Sequence, residues 1–123
     1  KKTLIAGFVA ALALVAGQAF AGECSDDQQS AAGMLAAGIG KDAVSKVIAV
    51  TGKQMVNIEN CEMSGGKYNV DFKYNFLAAD GLYWVEISAK FDQSGGSATS
   101  KVTKSSPNMA AAEAKAGVKL AAN

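Results

Sequence analysis

The feature that most constrains the fold is a strict alternation of apolar and polar residues in two consecutive stretches of the chain. The first runs from Tyr68 to Phe76 and the second from Tyr83 to Phe91, with every second residue apolar. A period of two is typical of a β-strand with one face buried and the other in solvent. Since Ala79-Asp80-Gly81 between them has turn composition, we expect a hairpin that forms the core of the fold.

The length of the turn decides whether the two apolar faces coincide. A slip of one residue would move all the apolar side chains of one strand to the other face, so only an even loop length is allowed. Turns centred on Ala79-Asp80 or on Asp80-Gly81 both satisfy this condition. The two registers pair Lys73 with Glu86 and Asp71 with Lys90, respectively.

The segment from Met55 to Met63 predicts a weaker strand that enters the hairpin through the turn Ser64-Gly65-Gly66-Lys67. With this turn, Val56 and Ile58 fall on the polar face of the sheet. A β-bulge near Glu59-Asn60 would return both side chains to the apolar face.

The chain beyond the hairpin predicts a fourth strand and then a break. Ser97 to Lys104 is weakly apolar, and Lys101 and Lys104 suit an edge strand that must not pair with other chains. Pro107-Asn108 ends the sheet. The alanine-rich stretch from Met109 to Ala122 predicts either a short helix or a frayed tail.

The segment before the sheet predicts helical structure. Ser25-Asp26-Asp27-Gln28 has the form of a capping box, so a helix should begin directly after its serine. Gly38 and Gly40 each cost about 1 kcal/mol relative to alanine inside a helix, and we expect a kink or break there. A second helical piece then starts at Asp42 and ends near Thr51-Gly52.

These elements predict an α+β fold in two layers. A kinked helix or helical hairpin covers the apolar face of a four-stranded antiparallel meander, and a short C-terminal helix can follow. Leu35, Ile39, Val44, Val47 and Ile48 are the residues expected to cover that face.

Lys1 to Ala21 has the three parts of a cleaved secretory signal peptide. Two lysines precede an apolar run from Leu4 to Val15, and Ala19-Phe20-Ala21 has the small residues of a cleavage site. The run is too short to span a bilayer as a helix. We therefore expect an exported protein, periplasmic or secreted, in which residues 22–123 form a single domain and cross no membrane.

The chain has two cysteines, Cys24 and Cys61. An even pair in a small exported domain predicts a structural disulfide, because export places the thiols in an oxidising compartment. A helix of about 25 residues and a returning strand of about 9 have comparable lengths, which brings both cysteines to the same end of the fold.

Charge and composition exclude several classes of function. The formal net charge of +1 becomes slightly negative once Lys1 and Lys2 are cleaved, so nothing favours nucleic-acid binding. All twelve cationic side chains are lysine, and the chain has no histidine. A Ser-His-Asp triad, a histidine metal site and a bidentate arginine clamp are therefore excluded, and we expect neither a metal nor another cofactor.

Two candidate sites remain. Ser64 and Lys67 match the S-x-x-K pattern in which lysine activates a serine nucleophile, but they lie in a predicted turn rather than at a helix start. The alternation that buries Tyr83 places Trp84 and Leu82 on the polar face, where they form a candidate binding surface. In the competing interpretation the C-terminal helix covers this face with its residues Val118 and Leu120.

The run from Ala43 to Thr99 contains a helix, AVSKVIAVTG, and strands joined at Asp80-Gly81 and at Asp92-Gln93-Ser94-Gly95-Gly96. It resembles the small PepSY-type modules of exported bacterial proteins and is similar in element order to cystatin-like folds. The resemblance implies a non-catalytic module that restrains a peptidase or binds an envelope partner. The chain lacks the Q-x-V-x-G run of cystatins, and no functional residue is carried over.

The sequence thus predicts a small, exported, non-catalytic binding or accessory protein of the bacterial envelope with a protein or peptide partner. One alternative is a serine hydrolase that uses Ser64 and Lys67. Another is a structural or filament subunit that retains its apolar N-terminus. The residues leave the oligomeric state and the identity of the partner open.

Overall fold

The computed structural model describes residues 22–121, which form a five-stranded antiparallel sheet and two helices. The predicted α+β class is confirmed. In chain order the elements are β1 (Gly22–Glu23), α1 (Asp26–Val44), β2 (Gln54–Ser64), β3 (Lys67–Ala78), β4 (Gly81–Asp92), β5 (Thr99–Ser105) and α2 (Pro107–Ala116). The strands lie in the sheet in the same order, so the sheet is a meander. The predicted signal peptide lies outside the described residues.

The central hairpin of β3 and β4 pairs along its whole length, from Lys67 opposite Asp92 to Ala78 opposite Gly81. Its turn is therefore centred on Ala79-Asp80, the first of the two predicted registers, and Lys73 pairs with Glu86. Every predicted inward side chain is buried. The core residues of the hairpin are Tyr68, Val70, Phe72, Tyr74, Phe76, Tyr83, Val85, Ile87, Ala89 and Phe91.

The sheet has five strands rather than the predicted four, because Gly22 and Glu23 pair with Met63 and Glu62. Two residues are too short to show an alternation in sequence. They are held in register by the chain that follows them, where the Cys24 amide donates to the Cys61 carbonyl at 3.0 Å.

The predicted β-bulge in β2 is confirmed. Ile58 pairs with Phe72 and Asn60 with Asp71, which leaves Glu59 as the extra residue. Val56 and Ile58 consequently lie half-buried against the core instead of on the polar face.

The helix α1 is continuous over 19 residues, so the predicted break at Gly38 and Gly40 is wrong. A Cβ atom at Gly40 would lie 2.5 Å from Cγ of Tyr74. This glycine therefore allows the helix to approach the sheet closely, and burial of the surrounding surface outweighs its low helix propensity. Asp42 lies inside α1, and the segment 45–48 is a turn rather than part of a second helix.

The residues of α1 that contact the sheet most closely are small. Ala32, Ala36, Gly40 and Val44 recur every fourth residue and are buried, whereas the predicted Leu35 and Ile39 flank this stripe half-buried. At the start of the helix the predicted capping box is confirmed, since the Gln28 amide donates to Ser25 Oγ at 3.2 Å and the Ser25 amide donates to Gln28 Oε1 at 2.8 Å.

The C-terminal segment is docked rather than frayed. The helix α2 begins at Pro107 and ends at Ala116, so it starts earlier and ends earlier than predicted. Gly117 caps its end with a φ of 72°. Met109 is fully buried in the core. Beyond the helix, Ala121 bridges to Val102 of β5 in parallel orientation.

Candidate functional site

Trp84 and Leu82 lie on the face of the sheet opposite α1, which we call the outer face. Their neighbour Tyr83 is buried on the inner face, whereas Trp84 is half-buried and Leu82 is 60% exposed. The predicted orientation of these two side chains thus follows the alternation of β4.

The register of the sheet brings two further apolar residues to the same place. Leu77 lies opposite Leu82, and Asn75 lies opposite Trp84 on one side and Met55 on the other. Leu77 is 38% exposed and Met55 is 58% exposed. We call Met55, Leu77, Leu82 and Trp84 the outer-face patch.

Met55 and Leu77 were not predicted from the sequence as members of this patch. The signal for Leu77 was available, because the turn centred on Ala79-Asp80 places it opposite Leu82. Met55 could be found only with the bulge in β2 assigned, since the bulge determines which face Met55 occupies.

The helix α2 packs on the inner face, so it does not cover the patch. Ser105 shares the face of its pairing partner Val85, and its hydroxyl donates to Glu113 of α2 at 2.6 Å. Leu120, predicted by the competing interpretation to cover Trp84, packs against the core instead, and its amide donates to the Glu113 carboxylate at 2.8 Å. No helix within residues 22–121 lies over the outer-face patch.

The backbone beneath the patch is held by the segment that starts α2. The Ser106 amide donates to the Trp84 carbonyl at 2.9 Å, and the Trp84 amide donates to Ser106 Oγ at 3.3 Å. The side-chain amide of Asn108 donates to the Leu82 carbonyl at 2.8 Å. Trp84 and Leu82 therefore project from a fixed strand, which lowers the entropy lost when a partner binds.

A polar border surrounds the indole. The ammonium of Lys73 lies 4.2 Å from the centroid of the Trp84 ring, a cation–π contact worth about 0.5–1 kcal/mol at an exposed site. Asn75 donates from its side chain to Asn57 at 2.8 Å. Apolar residues bordered by polar ones are the usual composition of a protein-binding surface.

Ser64 and Lys67 face each other across the two-residue turn Gly65-Gly66, where both glycines have positive φ. Both side chains are exposed at the tip of the hairpin. The two residues pair through the backbone as the last position of the β2–β3 ladder.

Cys24 and Cys61 are joined in a disulfide with a Cα–Cα distance of 5.4 Å. The bridge ties the start of α1 to β2, and both cysteines are buried. A disulfide of this kind fits an oxidising extracellular compartment.

Three side chains have altered acidity for structural reasons. Burial raises the pKa of Tyr74 to about 12, and its hydroxyl donates to Gln54. A hydrogen bond to Asp80 raises the pKa of Tyr83. Hydrogen bonds from Ser94 and the Gly96 amide lower the pKa of Asp92, which closes the turn after β4.

The described part of the chain, residues 22–121, has no group of three histidine, cysteine or carboxylate side chains placed to hold a metal ion. It also contains no helix long and apolar enough to cross a membrane. Asp26 and Asp27 are exposed in the first turn of α1, where they face the positive end of the helix dipole.

No family model, curated protein or solved structure matches this chain. The function of the chain is therefore inferred from the chemistry and placement of its own residues, among which the outer-face patch is the most distinctive group.

Proposed function

We propose that this chain is a small, exported, non-catalytic binding module that engages a protein partner in the bacterial envelope through the outer-face patch. One observation carries the proposal. Within residues 22–121, three of the four large hydrophobic residues that are exposed belong to the patch, namely Met55, Leu77 and Leu82. The fourth, Met34, is 80% exposed on α1.

The clustering is informative because single exposed apolar residues are ordinary on soluble proteins, whereas a contiguous group of them marks a contact surface. Each square ångström of apolar surface removed from water contributes about 25 cal/mol. Trp84 adds a residue type that is enriched at the energetic centres of protein interfaces. A partner segment with apolar side chains would therefore bind with the most favourable free energy if it covered Leu82, Met55 and the Trp84 indole together.

The disulfide and the predicted signal peptide both support export of the protein to an oxidising compartment. We propose that this compartment, shared with the partner, is the periplasm, with secretion as the alternative. The PepSY-type resemblance implies that the bound partner is a peptidase that this module restrains.

The proposal is tested by site-specific photo-crosslinking in the native envelope. A photoreactive residue is introduced at Leu82, and the matched control carries it at Met34, which is exposed on a different surface. We expect a discrete cross-linked protein from position 82 and none from position 34. Equal cross-linking from both positions, or none from position 82, would refute the proposed surface.

The affinity for the captured partner is then measured for variants of the patch, and their folding is checked separately. Leu82→Ser and Met55→Ser should each weaken binding about thirtyfold or more, because interface centres lose about 2 kcal/mol or more on truncation. Met34→Ser is the control and should bind as the unmodified protein does. Thermal melting of all three variants shows whether a loss of binding merely reflects unfolding.

The alternative of a serine hydrolase is less well supported by the geometry. Ser64 and Lys67 are both exposed at a hairpin tip, whereas catalysis is favoured in a site that excludes water. A serine-reactive fluorophosphonate discriminates the two proposals. Labelling that disappears in Ser64→Ala would support the hydrolase and contradict the non-catalytic proposal.

A further inference from the structure

The two edges of the sheet differ in how they are closed. At one edge, β5 bridges to Ala121, carries Lys101 and Lys104 and is bulged at Thr103. These features prevent strand addition. At the other edge, β1 pairs only with Glu62 and Met63 of β2. Within the described chain, the outer side of β2 from residue 54 to residue 60 has no strand partner.

The open part of β2 has its hydrogen-bonding groups directed outward at alternate positions. Along one strand, residues that share a face also direct their backbone groups to the same side. The Lys53 carbonyl accepts from the Leu77 amide of β3 at 3.0 Å, so Lys53 and every second residue after it direct their backbone groups to β3 as far as the bulge. Val56 and Ile58 occupy the intervening positions, so their amides and carbonyls point to the open edge.

The residues of this edge favour pairing. Gln54 to Ile58 contains no charge, no glycine and no proline, and it includes the β-branched Val56. A groove of about 550 Å³ lies beside the edge, between β2 and α1. Its helical wall includes Ser30, whose small side chain leaves room for side chains of an added strand.

Opposite charges flank the uncharged stretch. Lys53 precedes it and Glu59 follows it, and both side chains are exposed. The two residues are separated by the length of the stretch, so they lie far apart within one molecule. An antiparallel second copy reverses the order of charges and can place each lysine opposite a glutamate.

We propose that two copies of this chain associate through the open edge of β2, pairing antiparallel about a two-fold axis at Val56. Val56 then pairs with its own copy, Gln54 with Ile58, and Lys53 with Glu59. Axes at Met55 or Asn57 would also align outward hydrogen-bonding groups, but neither places the lysine opposite the glutamate. Charge complementarity therefore selects the register.

The dimer has a consequence for the outer-face patch. Met55 pairs with Asn57 of the other copy in this register, so the two patches lie on the same face of one continuous sheet, on either side of the axis. The edge pairing does not require that the patch bind a partner, and each inference is tested separately.

The test is sedimentation equilibrium on the disulfide-bonded protein at concentrations up to about 1 mM. This range detects even a weak dimer with a dissociation constant near about 1 mM. We expect a reversible dimer. Lys53→Glu and Glu59→Lys should each weaken it roughly tenfold, because each substitution replaces two attractive pairs with two repulsive ones. The double variant Lys53→Glu/Glu59→Lys should restore the original dissociation constant to within about threefold, since it only exchanges the partners.

Lys101→Glu is the matched control, because it makes the same charge change on the opposite edge of the sheet. It should leave the dissociation constant unchanged. A protein that stays monomeric throughout the range would overturn the proposal. Single variants that behave like the control, or a double variant that fails to recover, would likewise show that any dimer uses a different surface.

Hydrogen exchange gives a second, independent readout. In the proposed dimer the Val56 and Ile58 amides become hydrogen-bonded, so their exchange should slow as protein concentration rises. An association that leaves both amides exchanging at the monomer rate would contradict edge pairing.

Discussion

At the scale of single residues, two glycines of α1 that look alike in sequence have opposite roles. A Cβ atom at Gly40 would lie 2.5 Å from the Tyr74 ring, whereas a Cβ atom at Gly38 would meet nothing within 4 Å. Helix propensity alone would favour alanine at both positions. The close approach to Tyr74 makes glycine necessary at only one of them.

We therefore predict opposite changes in the free energy of unfolding for two matched variants. Gly38→Ala should stabilise the protein by about 0.5–1 kcal/mol, because alanine restricts the unfolded chain and favours the helix. Gly40→Ala should destabilise it by about 1–3 kcal/mol, because the new methyl group overpacks the core against Tyr74. Urea denaturation measures both. Equal effects of the two substitutions would show that α1 does not lie against Tyr74 as described.

At the scale of secondary-structure elements, the disulfide stabilises β1 and the start of α1, which strand pairing holds only weakly. The strand β1 contributes two residues to the sheet, and α1 starts directly after Cys24 and Ser25. Without the bridge, residues 22–24 would still be joined to β2 by the hydrogen bond of the Cys24 amide and by the two residue pairs of β1.

Reduction of the bridge, or replacement of both cysteines by alanine, should lower the free energy of unfolding by about 4 kcal/mol. The bridge closes a sequence separation of 37 residues, which sets this magnitude in the chain-entropy account. Chemical denaturation with and without reductant gives the value. Two reactive thiols in the untreated protein would contradict the bridge itself.

Some features of these elements could be predicted from the sequence and others could not. The capping box, the hairpin register and the bulge at Glu59 were predictable, because each depends on residues adjacent in sequence or on the match of two apolar faces. The break in α1 was predicted wrongly, because the contact between Gly40 and Tyr74 joins residues distant in sequence.

At the scale of the whole molecule, the retention or removal of residues 1–21 separates two interpretations of the chain. The small residues Ala19 and Ala21 predict cleavage before Gly22. Intact mass spectrometry of protein isolated from the envelope should therefore give the mass of a chain that starts at Gly22 and has one disulfide. A mass that includes the apolar segment would favour the filament subunit instead.

The sequence by itself determined the parts of this protein that depend on local periodicity: two strands with one buried face, the turn between them, the start of the first helix and the pairing of two cysteines. Their physical basis is the alternation of side chains along a strand and the capping needs of a helix end. Only the tertiary structure decided which face α2 occupies and which residues join Trp84. Buried contacts such as Met109 in the core and Glu113 with Ser105 place α2 on the inner face. The outer-face patch therefore remains uncovered by either described helix, because the favourable contacts of α2 lie on the opposite side of the sheet.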